Sequence, residues 1–179
     1  MLEFNVTWKK CPYRVRQYQQ VDEHEIVDNF FFWKITALMA KTRGHKTPQL
    51  PQTFSEPFCC YTCNLAHNLG GSGPDAFLVR KEATNKVQSA IEIKATITPQ
   101  GFTDVKRDLD FDELYWLSMA GYENLTYEIY SMPRSMIEGY VKRSKTVRDR
   151  GTVNLTEIVH EGNLKPFRQG YIGIVTGNA

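Results

Sequence analysis

The stretch GPDAFLVRKEATNKVQSAIEIKAT, residues 73–96, constrains the fold of this chain more than any other. It divides into two short apolar strands around a polar turn, and strands joined so closely pair antiparallel. Side chains on a strand alternate faces, so Ile91, Ile93 and Ala95 share one side while Glu92, Lys94 and Thr96 share the other. A reversal centred between residues 83 and 84 sets Asp75 opposite Glu92, and one centred between 84 and 85 sets it opposite Lys94. Either register gathers two carboxylates and an ammonium at one end of a hairpin. An ordinary surface ladder of Glu and Lys is the bland reading of the same residues.

The chemical reading is more specific. Paired carboxylates are hard oxygen ligands for Mg²⁺, which keeps several waters and completes its shell with substrate phosphate oxygens. Such an ion polarises phosphorus and makes hydroxide available near neutral pH, while a lysine orients the water or offsets charge on the phosphate. Phosphodiester hydrolysis needs these parts and no organic cofactor.

Around the hairpin the pattern predicts an α/β (α+β) domain with a mixed sheet flanked by helices, occupying residues 1–179 as one unit. Residues 21–43 place Val21, Ile26, Phe30, Trp33 and Ala37 at helical intervals, and Gly44 follows as a stop. In the run Phe30-Phe31-Phe32-Trp33 the aromatic rings suit a core and, in a dimer, an interface. The Pro-rich segment 44–57, the segment 65–74 with Gly70, Gly71 and Gly73, and residues 99–110 read as loops or connections. Residues 111–124 carry Phe111, Leu114, Tyr115 and Leu117 on a helical stripe, with Asp108 or Asp110 as N-cap. Residues 125–132 alternate as a strand; 133–151 are expected to form a helix from Pro133 to Gly151. A short helix at 155–162 and a strand at 170–177 close the chain.

Pro74-Asp75, a spacer, and then Glu92-Ile93-Lys94 resembles the PD-(D/E)XK nuclease motif. The predicted element order is similar to that family's α-β-β-β-α-β core, and the chain size resembles its small type II restriction endonucleases. By this resemblance Asp75 and Glu92 would hold Mg²⁺, Lys94 would be the catalytic lysine, and the product would carry a 5′-phosphate. Some members add a carboxylate from the first helix, for which Glu25 and Asp28 are the candidates. Cutting both strands of a two-fold symmetric double-stranded DNA site implies a homodimer. A structure-directed repair or recombination nuclease of the same fold, or a non-catalytic DNA-binding protein, are the alternatives.

Charge distribution points to the same partner. The net charge is only +2, but residues 140–151 hold Lys142, Arg143, Lys145, Arg148 and Arg150 against the single acid Asp149. Lys142, Arg143, Lys145 and Arg148, with Lys106 and Arg107, are the expected DNA contacts. Cys60, Cys63 and His67 have the spacing of half a zinc site, without the second paired knuckle a structural site needs. The opening residues lack an apolar run after a basic one, and the apolar segment 30–40 is short and interrupted by Lys34. No membrane anchoring and a reducing, cytoplasmic setting are therefore expected.

Overall fold

The computed structural model describes residues 1–80, 85–106, 108–143, 146–147 and 150–173. An amino-terminal hairpin, β1 (Leu2–Trp8) and β2 (Cys11–Gln17), leads into helix α1 (Glu23–Thr42) and helix α2 (Gln52–Cys63). Strands β3 (Ala66–Asn68), β4 (Ala76–Arg80), β5 (Lys86–Thr96), β6 (Phe102–Lys106), β7 (Glu113–Ser118) and β8 (Thr126–Pro133) follow. Helix α3 (Arg134–Arg143), strands β9 (Thr146–Val147) and β10 (Arg150–Asn154), helix α4 (Leu155–Glu161) and strand β11 (Arg168–Tyr171) complete the described chain.

Eight strands form one sheet in the order β1-β2-β3-β4-β5-β7-β8-β11, in which β5 and β7 run parallel and every other neighbouring pair is antiparallel. A three-stranded antiparallel sheet, β6-β10-β9, stands apart from it. Helices α1 and α2 cover one face of the large sheet: Phe30, Trp33, Phe54 and Phe58 pack with Ile91, Ile93, Tyr115, Leu117 and Ile129. Burying side chains such as Ile91 and Ile93 contributes roughly 2 kcal/mol each. On the opposite face Leu114, Trp116 and Met132 pack against Ile137 and Val141 of α3, Val105 and Val153 of the small sheet, and Ile158 of α4.

This is the restriction-endonuclease-like fold that the residues suggested, with several local differences. Segment 111–124 is not an α-helix: it holds β7, and only Tyr122–Asn124 make a short 3₁₀ turn. Its buried run Leu114–Ser118 lies between β5 and β8, and a strand covered on both faces loses the alternation that marks a strand. The Pro-rich loop expected at 44–57 gives way at Gln52 to α2, where burial of Phe54 and Phe58 one turn apart outweighs the interior Pro57. The helix expected across 133–151 ends at Arg143; beyond it lie β9 and β10, which pair with each other, and β10 also pairs with β6 in what looked like a connection. Asp110 caps no helix; it meets Lys9 at 2.8 Å. Short β3 interrupts the expected loop at 65–74. The terminal strand begins earlier, at Arg168, and residues 174–177 of the expected strand lie outside the described residues. The turn of the central hairpin likewise falls on residues 81–84, outside that set.

Candidate active site

The pairing Ala76↔Ile91, carried one step back, sets Asp75 opposite Glu92, the first of the two registers considered. Ala76 and Ile91 belong to the helix-covered core, so Asp75 and Glu92 face the other way, as does Lys94 two residues on. The Lys94 ammonium lies 2.6 Å from Oε1 of Glu92, with only 21 % and 14 % of the two side chains exposed. A half-buried ion pair on a central strand is a poor stabilising choice, because desolvating both charges offsets most of their attraction. Leu114 and Trp116 on β7 stand beside Glu92 and Lys94 in register, and Ala90 and Phe77 belong to an apolar cluster on the other flank.

These three side chains line a cleft of about 290 Å³ together with Gln52 and Glu56 of α2, Asn68, the loop from Gly70 to Pro74, Asp104 and Lys106 of β6, and Arg150 of β10. Asp75 is tied down by a backbone bond: its Oδ2 accepts from the Ile93 N–H at 2.7 Å. Burial, and then the neighbouring Glu92 charge, push its carboxyl up to about 7. The glycine loop is fixed by Asn68, whose amide donates to the carbonyls of Ser72 and Pro74 at 2.9 and 2.8 Å while its oxygen accepts from the Gly70 N–H. Gly73 has φ +86, and a Cβ there would sit 2.8 Å from the Tyr13 ring, so both conformation and space demand glycine.

Glu56 enters the cleft from α2 and is held by His67, whose Nε2 lies 3.1 Å from Glu56 Oε2 and whose Nδ1 lies 2.9 Å from the Tyr18 hydroxyl. Glu56 had no signal in the residues, because its helix lies in a Pro-rich stretch that reads as a loop. Glu25 and Asp28, the expected first-helix acids, are exposed on α1 and do not line the cleft.

Lys106 lines the cleft, and Arg150, embedded in the basic stretch, joins it because β10 registers with β6 as Arg150↔Lys106. Lys142 pairs with Glu138 at 2.7 Å and Arg143 lies over the Tyr140 ring at 4.9 Å, both at the end of α3 and away from the cleft lining. Arg107, Lys145 and Arg148 lie outside the described residues.

Could the site take a divalent ion? Among the described residues no group of three His, Cys, Asp or Glu forms a protein cage. Mg²⁺ does not require one: it binds through one or two carboxylates and keeps its remaining positions for water and phosphate. Burial and then the Glu92 charge hold the Asp75 carboxyl up, and a cation bound by the two carboxylates would offset both, so the donor set fits such an ion. The cysteines present a different environment. Cys59 and Cys60 are buried; the hydrogen bond with Cys63 and then desolvation push the Cys59 thiol up, desolvation pushes up that of Cys60, and His67 is engaged by Tyr18 and Glu56.

No helix among the described residues is long and apolar enough to cross a membrane. A family model described as Bsp6I restriction endonuclease matches residues 18–153, a span that takes in α1, the cleft and most of both sheets. No curated protein and no solved structure matches the chain.

Proposed function

The chain belongs to the Bsp6I restriction endonuclease family, a type II family, and from that premise we propose that it is a Mg²⁺-dependent, sequence-specific endonuclease of the PD-(D/E)XK type, hydrolysing double-stranded DNA to leave 5′-phosphates. The observation that carries this reading is the convergence of Asp75, Glu92 and Lys94 in one cleft on the same face of the β4–β5 hairpin. Asp75 and Glu92 would hold the ion, which supplies Lewis-acid polarisation of the phosphate and an attacking hydroxide near neutral pH.

The chain's own groups do the rest. The Ile93 N–H aims Asp75, and Lys94, braced on Glu92, presents its ammonium to the attacking water and to a non-bridging phosphate oxygen. The water oxygen bonds to phosphorus, the bond from phosphorus to the 3′ oxygen breaks, and that oxygen leaves with a proton. Glu56, oriented by His67, faces the same space as an acceptor for a proton or a water. At Gly70, Gly71 and Gly73 the loop presents no side chain to hold the nucleic-acid backbone off. Lys106 and Arg150 on the far wall supply phosphate contacts, while Lys142 and Arg143 add positive charge outside the cleft. Two copies acting on a two-fold symmetric site would cut both strands.

Long DNA incubated with the purified protein and either Mg²⁺ or EDTA, followed by end sequencing, tests this. Discrete fragments with 5′-phosphate ends and a common flanking sequence, formed only with Mg²⁺, are expected. A metal-independent product, or a smear without common ends, counts against it.

A further inference from the structure

Helix α1 is apolar on two sides. Ile26, Phe30, Trp33 and Ala37 face the core, which accounts for one stripe. On the outside stand Phe32 at 72 % exposure, Ile35 at 57 % and Met39 at 48 %, flanked by Phe31 and Leu38. Nothing in the nuclease chemistry uses this second stripe, and a contiguous exposed apolar helix face marks a binding surface.

We infer that this face joins two copies of the chain, α1 packing antiparallel on α1 across a two-fold axis near Ile35. The proposal deepens the two-copy reading above and rests on it for its purpose, though not for its geometry. The residues at the two ends of the stripe argue for a second copy. Glu25 and Asp28 lie exposed at the amino end, Arg43 and Lys46 at the other, and none of the four has an ion-pair partner among the described residues.

Acids early and bases late also suit the helix dipole, but the dipole does not explain the apolar residues between them. Reversal about Ile35 lays Phe32 of one copy against Leu38 and Met39 of the other. It brings Asp28 to Thr42 and Arg43, and Glu25 toward His45 and Lys46. The face is therefore complementary to itself, as an isologous interface must be, and a parallel arrangement would set acid on acid. Glu25 and Asp28 thereby acquire a place that the cleft does not give them.

Sedimentation of the full chain over a concentration series reads the association directly. The expected result is a dimer whose dissociation constant rises roughly a hundredfold or more in the Phe32→Glu, Ile35→Glu double variant, since both lie at the centre of the patch. Folding is checked by circular dichroism, and these exposed positions should leave it unchanged. Asp28→Arg should weaken the dimer, and adding Arg43→Asp should restore it, a rescue that no loss of folding can imitate. On supercoiled plasmid the double variant should shift product from linear toward nicked circle.

A double variant that dimerises like the parent overturns the interface while leaving the nuclease reading intact. So does a parent chain that stays monomeric at the working concentration. A dimer that meets both tests but never cuts DNA would sink the nuclease reading and keep the interface.

Discussion

Lys106 on β6 and Arg150 on β10 stand directly opposite one another across an antiparallel pair, and both line the cleft that holds Asp75, Glu92 and Lys94. Neither has an ion-pair partner among the described residues, and like charges placed directly across a strand pair oppose that pairing. A phosphate backbone entering the cleft removes the repulsion. Changing both to Ala should weaken DNA binding and reduce the slope of log affinity against log salt by about 1 per residue. Thermal stability should hold or rise slightly. Titrations at several salt concentrations check the first expectation; an unchanged slope would place the DNA elsewhere.

Asp75→Asn, Glu92→Gln and Lys94→Ala should each lower cleavage by about a hundred- to a thousandfold, the loss seen when a group stabilising the reacting charge is removed. DNA binding measured with Ca²⁺ in place of Mg²⁺ should stay within about threefold, since bulk affinity comes from phosphate contacts on the walls. Single-turnover cleavage with gel-shift binding separates the two effects.

The raised carboxyl of Asp75 makes stability depend on pH in a definite direction. Between about 4 and about 7 the folded chain holds a proton there that the unfolded chain has released. Stability therefore falls as pH rises through that window, and above it the full cost, on the order of a few kcal/mol, is present. Asp75→Asn should raise the melting temperature, and by more at pH 8 than at pH 5. Calorimetry without metal at the two pH values decides it; an equal gain at both would show that the carboxyl is not raised.

The same proton competes with the metal. Mg²⁺ binding requires ionised Asp75, so the Mg²⁺ concentration giving half-maximal cleavage should climb as pH falls below about 7, approaching tenfold per pH unit. A Mg²⁺ requirement indifferent to pH between 6 and 8 would remove Asp75 from the ion's ligands.

His67 holds Glu56 from behind. Replacing it with Phe should lower cleavage by about 10- to 100-fold, as loss of an orienting partner does at metal sites, and shift the Mg²⁺ dependence. His67→Gln, which keeps a donor, should recover part of that loss. If both variants cut at the parental rate over a Mg²⁺ series, Glu56 has no part in the site.

Much of the candidate site's placement was legible in the residues alone, because strand alternation is a local geometric rule. Once 73–96 is a hairpin, Glu92 and Lys94 must share a face, and only two registers bring Asp75 near them. The basic character of 140–151 and the inward stripe of α1 are equally local, being properties of neighbouring side chains. Tertiary structure decided what depended on distant partners. Segment 111–118 became a strand because β5 and β8 lay ready on either side, and burial on both faces erased the periodicity that would have marked it. Glu56 reached the cleft because core burial of Phe54 and Phe58 formed a helix through a proline. Arg150 met Lys106 through a register between strands more than forty residues apart. Local pattern tells which way a side chain points; only packing tells what it points at, since a contact is a property of two segments and each segment carries half of the information.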